Sequence, residues 1–236
     1  MTFAERLKGI EERIAQACLR SGRNRAEIRL MVVSKFQGID RIEEAWEQGI
    51  RLFGESRVQE AAEKFSGFKE THPELELHMI GSLQRNKAKI AASLFDCVQS
   101  VDRESIIGEL GKYAAERKAP LKVLLELHTG EESKTGFPDE ESLLRGAEQA
   151  LGFPGLAPAG LMTMAPYTGD TDQVRSSFRA LVHAQQRLKK EFPDSDWSCL
   201  SMGMSNDFEI AVEEGAALLR IGSALFGERR QGDGQQ

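Results

Sequence analysis

A lysine that follows an apolar segment is the first residue here whose surroundings indicate a chemistry. Residues 29–35 read Arg-Leu-Met-Val-Val-Ser-Lys, and the four apolar residues are typical of a strand buried on both faces. The pattern ends at Lys35, so we expect this lysine at the carboxyl end of the strand, where parallel α/β folds carry their chemistry. We expect its ammonium to be partly desolvated there, which favours the neutral amine that condenses with an aldehyde. The alternative is a rim lysine whose stem packs on the sheet while its head reaches water.

Two later segments have the residue types of an anion site. Residues 201–206 read Ser-Met-Gly-Met-Ser-Asn and follow the seventh predicted strand, and Gly222 and Ser223 follow the eighth. Backbone amides and hydroxyls after the last two strands of a barrel often bind phosphate. Taken alone, each segment has a simpler explanation, since Gly203 and Gly222 could be turn residues and Ser205 or Asn206 a helix cap.

Together, the lysine and the anion cradle indicate an aldehyde that carries a phosphate, which is the description of pyridoxal 5′-phosphate. Arg220 would lie beside the cradle and face the pyridine nitrogen. Because arginine keeps its proton, that nitrogen would stay unprotonated, and the ring would be a weaker electron sink. A salt bridge at the barrel rim is the alternative role for Arg220.

The elements that must position these residues alternate along the chain. An amphipathic amino-terminal helix precedes eight predicted strands, and helices follow the first seven. The predicted strands are 29–35, 50–53, 75–80, 95–99, 121–127, 156–163, 197–201 and 218–221. This order predicts an α/β fold, a single (β/α)8 TIM barrel over residues 1–227, with the extra amino-terminal helix in place of an eighth. An open doubly wound sheet is the competing topology. Residues 228–236 form a polar tail that we expect to be disordered.

Composition excludes several classes of function. The net charge of −6 argues against nucleic acid or an anionic membrane as a partner. No apolar run approaches the roughly 20 residues that span a bilayer, and the amino terminus does not resemble a signal peptide. The three cysteines are far apart and the four histidines have no metal-ligand spacing. We therefore expect a cytoplasmic protein without a metal site.

Six blocks of the sequence, in order from residue 33 to residue 227, resemble the pyridoxal phosphate homeostasis proteins. They read VSK at 33–35, FGESRVQE at 53–60, HMIGSLQRNK at 78–87, GLMTM at 160–164, LSMGMS at 200–205 and RIGSALFG at 220–227. The resemblance implies a barrel like the amino-terminal domain of alanine racemase, with pyridoxal phosphate held as a Schiff base on Lys35.

The resemblance also implies which residues bind the cofactor. They are Lys35, Ser56, Met164, Ser201, Met204, Ser205, Arg220, Gly222 and Ser223. Lys134 matches a lysine that is linked in the family to handling of the cofactor. Serine at position 56 is a departure, because the family usually has asparagine there, and serine lacks the amide donor that could reach the phenolic oxygen.

A racemase needs acid and base groups on opposite faces of the substrate carbon. The resembling racemases take the second group, a tyrosine, from a carboxyl-terminal β-domain of a partner subunit, whereas this sequence runs only to the eighth strand. Its two tyrosines are Tyr113, within a helix, and Tyr167, after strand six. We therefore expect a monomeric, non-enzymatic protein without catalytic residues that binds pyridoxal phosphate and delivers it to dependent apoenzymes.

Two enzymatic alternatives remain open at this point. One is a pyridoxal phosphate-dependent racemase or decarboxylase that uses Tyr167 or a bound water as the second base. The other is an aldolase that forms a Schiff base on Lys35 with a phosphorylated sugar and needs no pyridoxal phosphate.

Overall fold

Eight parallel strands close into a barrel in the computed structural model of the protein, which describes residues 1–130 and 135–227. Each strand pairs with its neighbour in sequence, and the first pairs with the last. The strands are β1 Arg29–Val33, β2 Leu52–Glu55, β3 Glu76–Met79, β4 Cys97–Val101, β5 Leu121–Glu126, β6 Leu156–Met162, β7 Cys199–Ser201 and β8 Leu218–Ile221. The predicted TIM barrel is confirmed, and the open sheet is excluded.

Helices surround the barrel. They are α1 Phe3–Ser21, α2 Ile39–Glu47, α3 Val58–Thr71, α4 Ala88–Leu94, α5 Glu104–Ala114, α6 Glu140–Leu151, α7 Thr171–Glu191, α8 Phe208–Glu213 and α9 Ser223–Phe226, with 3-10 turns at Arg25–Glu27 and Arg85–Lys87. None of them, within the part of the chain that the structure describes, is both long and apolar enough to cross a bilayer.

The amino-terminal helix α1 occupies the place of a full eighth helix, as the sequence predicts. In α1, the ring of Phe3 lies 5.3 Å from the ring of Phe226 in α9, and Arg13 forms a 3.1 Å ion pair with Glu209 in α8. The helix after β8 has only one turn. Helix α1 therefore covers the side of the barrel that α9 is too short to cover.

The hydrophobic core lies mainly between the strands and the helices. Alternate residues of each strand point outward into this layer, because successive side chains of a strand face opposite sides. On β3, β4, β7 and β8 the outward residues are Leu77, Val98, Leu200 and Leu219. Their neighbours, which point into the barrel, include four buried polar residues: His78, Gln99, Ser201 and Arg220. The interior of this barrel is thus partly polar.

The loop after β1 is held by one lysine from α3. The Nζ atom of Lys64 donates to the carbonyl oxygens of Ser34 and Gln37, at 2.9 and 3.3 Å. It also lies 2.6 Å from Oε1 of Glu55 and 2.9 Å from Oε1 of Glu60. Lys64 therefore links the backbone on both sides of Lys35 to the carboxylates of Glu55 and Glu60.

Glu55 is the fully buried member of this group. Its Oε1 atom accepts hydrogen bonds from Ser34 and Lys64, while its Oε2 atom is buried without a hydrogen-bond partner among the described residues. Burial raises the pKa of Glu55, and the charge of Lys64 acts in the opposite direction. The charged form of Glu55 therefore depends on Lys64.

Several predicted boundaries are wrong by a few residues. Strand β1 ends at Val33, two residues before the predicted end at Lys35, and β2 and β4 lie about two residues later than predicted. Apolar composition places a strand but not its ends, which depend on pairing. The predicted disordered tail at 228–236 and the prediction for Lys134 lie outside the described residues.

Replacing Lys64 by methionine tests the loop attachment. The variant leaves Glu55 buried without its cation, so we expect the free energy of unfolding to fall by about 3–5 kcal/mol. Because the Glu55 pKa is already raised and rises further without Lys64, the deficit should shrink as the pH falls from 8 to 5. Denaturant unfolding across this pH range measures both effects.

Lys69→Met is the matched control on the same helix. Lys69 pairs with Asp96 at 2.7 Å in a more exposed setting, so its loss should cost about 0–1 kcal/mol. Adding Glu55→Gln to Lys64→Met should restore part of the lost stability, because it removes the unpaired charge. Equal losses for the two lysine variants, or no recovery in the double variant, would contradict this account.

Candidate functional site

A cavity of about 580 Å³ opens at the carboxyl ends of the strands. Its walls combine polar and apolar side chains from the ends of seven strands and the loops that follow them. The lining residues are Val33, Lys35, Gln37, Ser56, Ile80, Gly81, Ser82, Glu126, Thr135, Met164, Met204, Ser205, Asn206, Arg220, Gly222, Ser223, Phe226 and Gly227. The volume is in the range of cavities that hold small molecules and cofactors.

Lys35 lies on the cavity wall in a turn between β1 and α2. The amide of Ser34 donates to Gly54 at 3.0 Å, and the amide of Gln37 donates back to Ser34 at 3.0 Å, which closes the turn around Lys35. The side chain of Lys35 is exposed. The expected partial desolvation is therefore wrong, because the strand ends before the lysine and leaves it in the open mouth.

The residue after the lysine holds an unusual backbone conformation. Phe36 has a φ of 63°, a left-handed value that is uncommon for a residue with a side chain. Its amide donates to Oε1 of Glu60 at 2.5 Å, and the guanidinium of Arg57 lies 5.2 Å from the centre of its ring. These contacts, together with those of Lys64, specify the path of the backbone on both sides of Lys35.

The loops after β7 and β8 meet at the predicted anion cradle. The hydroxyl of Ser223 donates to the hydroxyl of Ser205 at 3.2 Å, and the amide of Ala224 donates to the same oxygen at 3.3 Å. Gly222 is packed close to β1, since a Cβ atom there would lie 3.0 Å from the carbonyl oxygen of Val33. Two hydroxyls and a glycine backbone are thus together on one wall of the cavity.

Ser201, predicted to bind the cofactor, lies inside the barrel and not on the cavity wall. Its side chain is fully buried, and its hydroxyl accepts a hydrogen bond from Nη1 of Arg220 at 2.7 Å. It donates in turn to Oε1 of Gln99 at 2.6 Å. In β7 the alternation of faces turns residue 201 inward, so it contacts the arginine and does not reach the cavity.

Arg220 is a buried cation that reaches the cavity. Its Nη2 atom donates to the carbonyl oxygen of Thr163 at 2.7 Å, and Ser201 takes a hydrogen bond from Nη1. These partners are uncharged, so the described residues do not form the rim salt bridge considered as an alternative. Burial lowers the pKa of Arg220 to about 10, partly offset by the charges of Asp207 and Glu126. The guanidinium therefore remains protonated at neutral pH.

The structure brings eight of the nine predicted cofactor residues to one cavity: Lys35, Ser56, Met164, Met204, Ser205, Arg220, Gly222 and Ser223. Sequence reasoning missed Glu126, a buried carboxylate at the end of β5 whose Oε1 accepts a hydrogen bond from Thr135 at 2.7 Å. The one sequence feature that could have identified Glu126 is its position at the carboxyl end of a strand. The described residues contain no cluster of metal-ligating side chains.

Comparison with known proteins identifies the family. Residues 7–230 match the family model of the alanine racemase amino-terminal domain. The chain is 38% identical over 230 residues to the pyridoxal phosphate homeostasis protein of Aquifex aeolicus, covering 98% of this chain and 100% of that protein. It is 39% identical over 231 residues to the protein of the same name from Vibrio cholerae, covering 97% of each.

Solved structures agree with this assignment. PipY of Synechococcus elongatus, in a structure with pyridoxal phosphate bound, superposes with a TM-score of 0.83 at 33% identity, covering 96% of this chain and 100% of PipY. Alanine racemase of Bacillus anthracis shares the fold, with a TM-score of 0.70 at 15% identity, covering 96% of this chain and 57% of the racemase. This chain belongs to the family of pyridoxal phosphate homeostasis proteins, which have the fold of the alanine racemase amino-terminal domain.

Proposed function

We propose that this protein binds pyridoxal 5′-phosphate covalently at Lys35, and that it stores and delivers the cofactor in the cytoplasm without catalytic turnover. One observation carries the proposal: a single cavity is lined by an accessible lysine amine, the Ser205–Ser223 cradle and a buried arginine. The relatives named pyridoxal phosphate homeostasis proteins and the pyridoxal phosphate-bound structure of PipY support it.

The residues of the cavity fit the cofactor in charge and in position. Bound pyridoxal phosphate supplies an aldehyde for attachment and a ring that withdraws electrons from attached groups. Lys35 offers the amine, and the hydroxyls of Ser205 and Ser223 would donate to the anionic phosphate. Met164 would lie beside the ring, and Arg220 would face its nitrogen. Since Arg220 keeps its proton at neutral pH, the ring nitrogen would stay unprotonated, which would make the ring a weaker electron sink.

The positions of the tyrosines favour a carrier over a racemase. Tyr167 is 89% exposed and does not line the cavity, and Tyr113 lies in α5 against the hydrophobic core. The chain has no other tyrosine. Neither residue is placed to act as a second base opposite Lys35. We propose that the protein works as a monomer and that its recipients are apoenzymes that require pyridoxal phosphate.

Substitution of Lys35 tests the attachment site. Lys35→Ala should lose the visible absorbance of the cofactor-loaded protein, and its dissociation constant for pyridoxal phosphate should rise at least about tenfold. Borohydride reduction and peptide mapping of the wild type should find the pyridoxyl group on the peptide that contains Lys35. Lys190→Ala, an exposed lysine of α7, is the control and should behave as the wild type. A pyridoxyl group on Lys134 or another lysine would refute the assignment.

The anion cradle is tested by removing its two hydroxyls together. Ser205→Ala with Ser223→Ala should weaken retention of pyridoxal phosphate by a few kcal/mol at most, since a hydrogen bond to a charged group contributes about 1.5–3 kcal/mol. Equilibrium dialysis measures the change. Ser93→Ala, on α4 outside the cavity, should have no effect. Unchanged retention in the double variant would remove these hydroxyls from the phosphate site.

Turnover assays separate the carrier from the enzyme. The cofactor-loaded protein should racemise or decarboxylate amino acids no faster than free pyridoxal phosphate at the same concentration, because the cavity lacks a tyrosine as second base. Chiral chromatography of the incubated amino acids measures this rate. Rapid turnover that Tyr167→Phe abolishes would establish the enzymatic alternative instead.

A further inference from the structure

Arg220 is one end of a chain of hydrogen-bonded side chains that crosses the barrel interior. From Nη1 of Arg220 the chain passes through the hydroxyl of Ser201 to Oε1 of Gln99, with donor–acceptor distances of 2.7 and 2.6 Å. Ser201 and Gln99 are both fully buried. The arginine that lines the cavity is therefore connected to β4, although Gln99 itself does not line the cavity.

The series of hydrogen bonds continues from Gln99 in β4 to His78 in β3. The Nε2 atom of Gln99 lies 2.7 Å from Nδ1 of His78, and the Nε2 atom of His78 lies 2.7 Å from Oε1 of Glu76. The amide nitrogen can only donate, so Nδ1 accepts and Nε2 carries the proton that is donated to Glu76. Burial lowers the pKa of His78, which agrees with this neutral form.

Glu76 is the carboxylate at the far end. The hydrogen bond from His78 and the ion pair with Arg29, at 2.5 Å, hold its pKa well below the usual range, so it is ionised. Every hydrogen bond from Arg220 to Glu76 is therefore donated in the same direction. A chain with a cation at one end, an anion at the other and one direction of donation is polarised along its whole length.

These hydrogen bonds restrict the orientation of the Arg220 guanidinium more than packing alone would. The interior of a small barrel is usually filled with branched apolar residues, whereas here four strands, β3, β4, β7 and β8, contribute polar side chains that satisfy one another. The two terminal nitrogens of the guanidinium are engaged by Ser201 and by the carbonyl oxygen of Thr163. The plane of the guanidinium is thereby specified before any ligand enters the cavity.

We propose that Glu76, His78 and Gln99 are positioning residues, which act through Ser201 to orient Arg220 toward the ring of the bound cofactor. This inference rests on the proposed function, since it takes pyridoxal phosphate as the ligand. It assigns a role to residues that do not line the cavity. It predicts that breaking the hydrogen bonds at Gln99 changes the electronic state of the cofactor, while Lys35 remains the residue to which the cofactor is attached.

The test compares two buried glutamines in the cofactor-loaded protein. Gln99→Met breaks the chain, whereas Gln185→Met removes a glutamine that is also buried and whose Nε2 donates to the carbonyl oxygen of Trp197 at 2.6 Å. We expect Gln99→Met to shift the visible absorption maximum and to weaken pyridoxal phosphate binding by about tenfold. Gln185→Met should be less stable but should keep the wild-type spectrum and affinity.

Two further variants test whether the effect passes through Arg220. In an Arg220→Lys background, Gln99→Met should add no further spectral shift, because the guanidinium at the end of the hydrogen-bonded series is already absent. Ser201→Ala breaks the same series of hydrogen bonds with little change in side-chain volume, so it replaces Gln99→Met in the test if that variant does not fold. It should reproduce the shift, whereas Ser142→Ala, a buried serine at the start of α6 that bonds to Asp139, should not.

The outcomes separate this inference from the proposed function. A wild-type band in the visible that Gln99→Met and Ser201→Ala both leave in place would overturn the positioning role alone. A full additional shift by Gln99→Met in the Arg220→Lys background would also overturn it. A wild-type protein that shows no visible band with pyridoxal phosphate would overturn the proposed function, and the positioning role with it.

Discussion

The pairing of β1 with β8 is the interaction on which the site depends. Met31 lies opposite Arg220 and Val32 opposite Ile221 in this parallel pair, which closes the barrel. Residues almost at the two ends of the chain are thereby neighbours, and the loop that carries Lys35 lies beside the loop that carries Ser223. Without closure, the amine and the anion cradle would belong to opposite edges of an open sheet.

The two cations of the site are presented in opposite ways. Lys35 is exposed, in a turn whose backbone is held by Lys64, so the main chain is constrained while the side chain can move. Arg220 is buried, and uncharged partners hold its guanidinium. Under the proposed function, access suits a lysine that would form and release a covalent bond, and a specified position suits an arginine that would set the electrostatics of a ring.

The barrel alone does not decide between storage and catalysis. Alanine racemase shares the fold at 15% identity, and this chain covers 57% of its length. A fold of this kind hosts many activities, and the activity depends on the groups around the ligand. Here the cavity combines an accessible lysine with an arginine that would leave the ring nitrogen unprotonated, and both tyrosines lie away from it. The proposed role in storage therefore depends on these groups around the cavity and not on the barrel itself.

The amino-acid sequence alone predicts the order of the elements, the barrel and most of the cavity, because parallel strands bring their carboxyl ends to one mouth and the polar residues follow those ends. It could not determine that Lys35 is exposed or that Ser201 faces inward, since both depend on where a strand ends and which face a residue takes. Nor could it identify Lys64 or the link between Gln99 and Ser201, which are 102 residues apart. Such contacts exist only once the closed barrel sets the register of strands that are distant in sequence, and no local pattern of residues specifies that register.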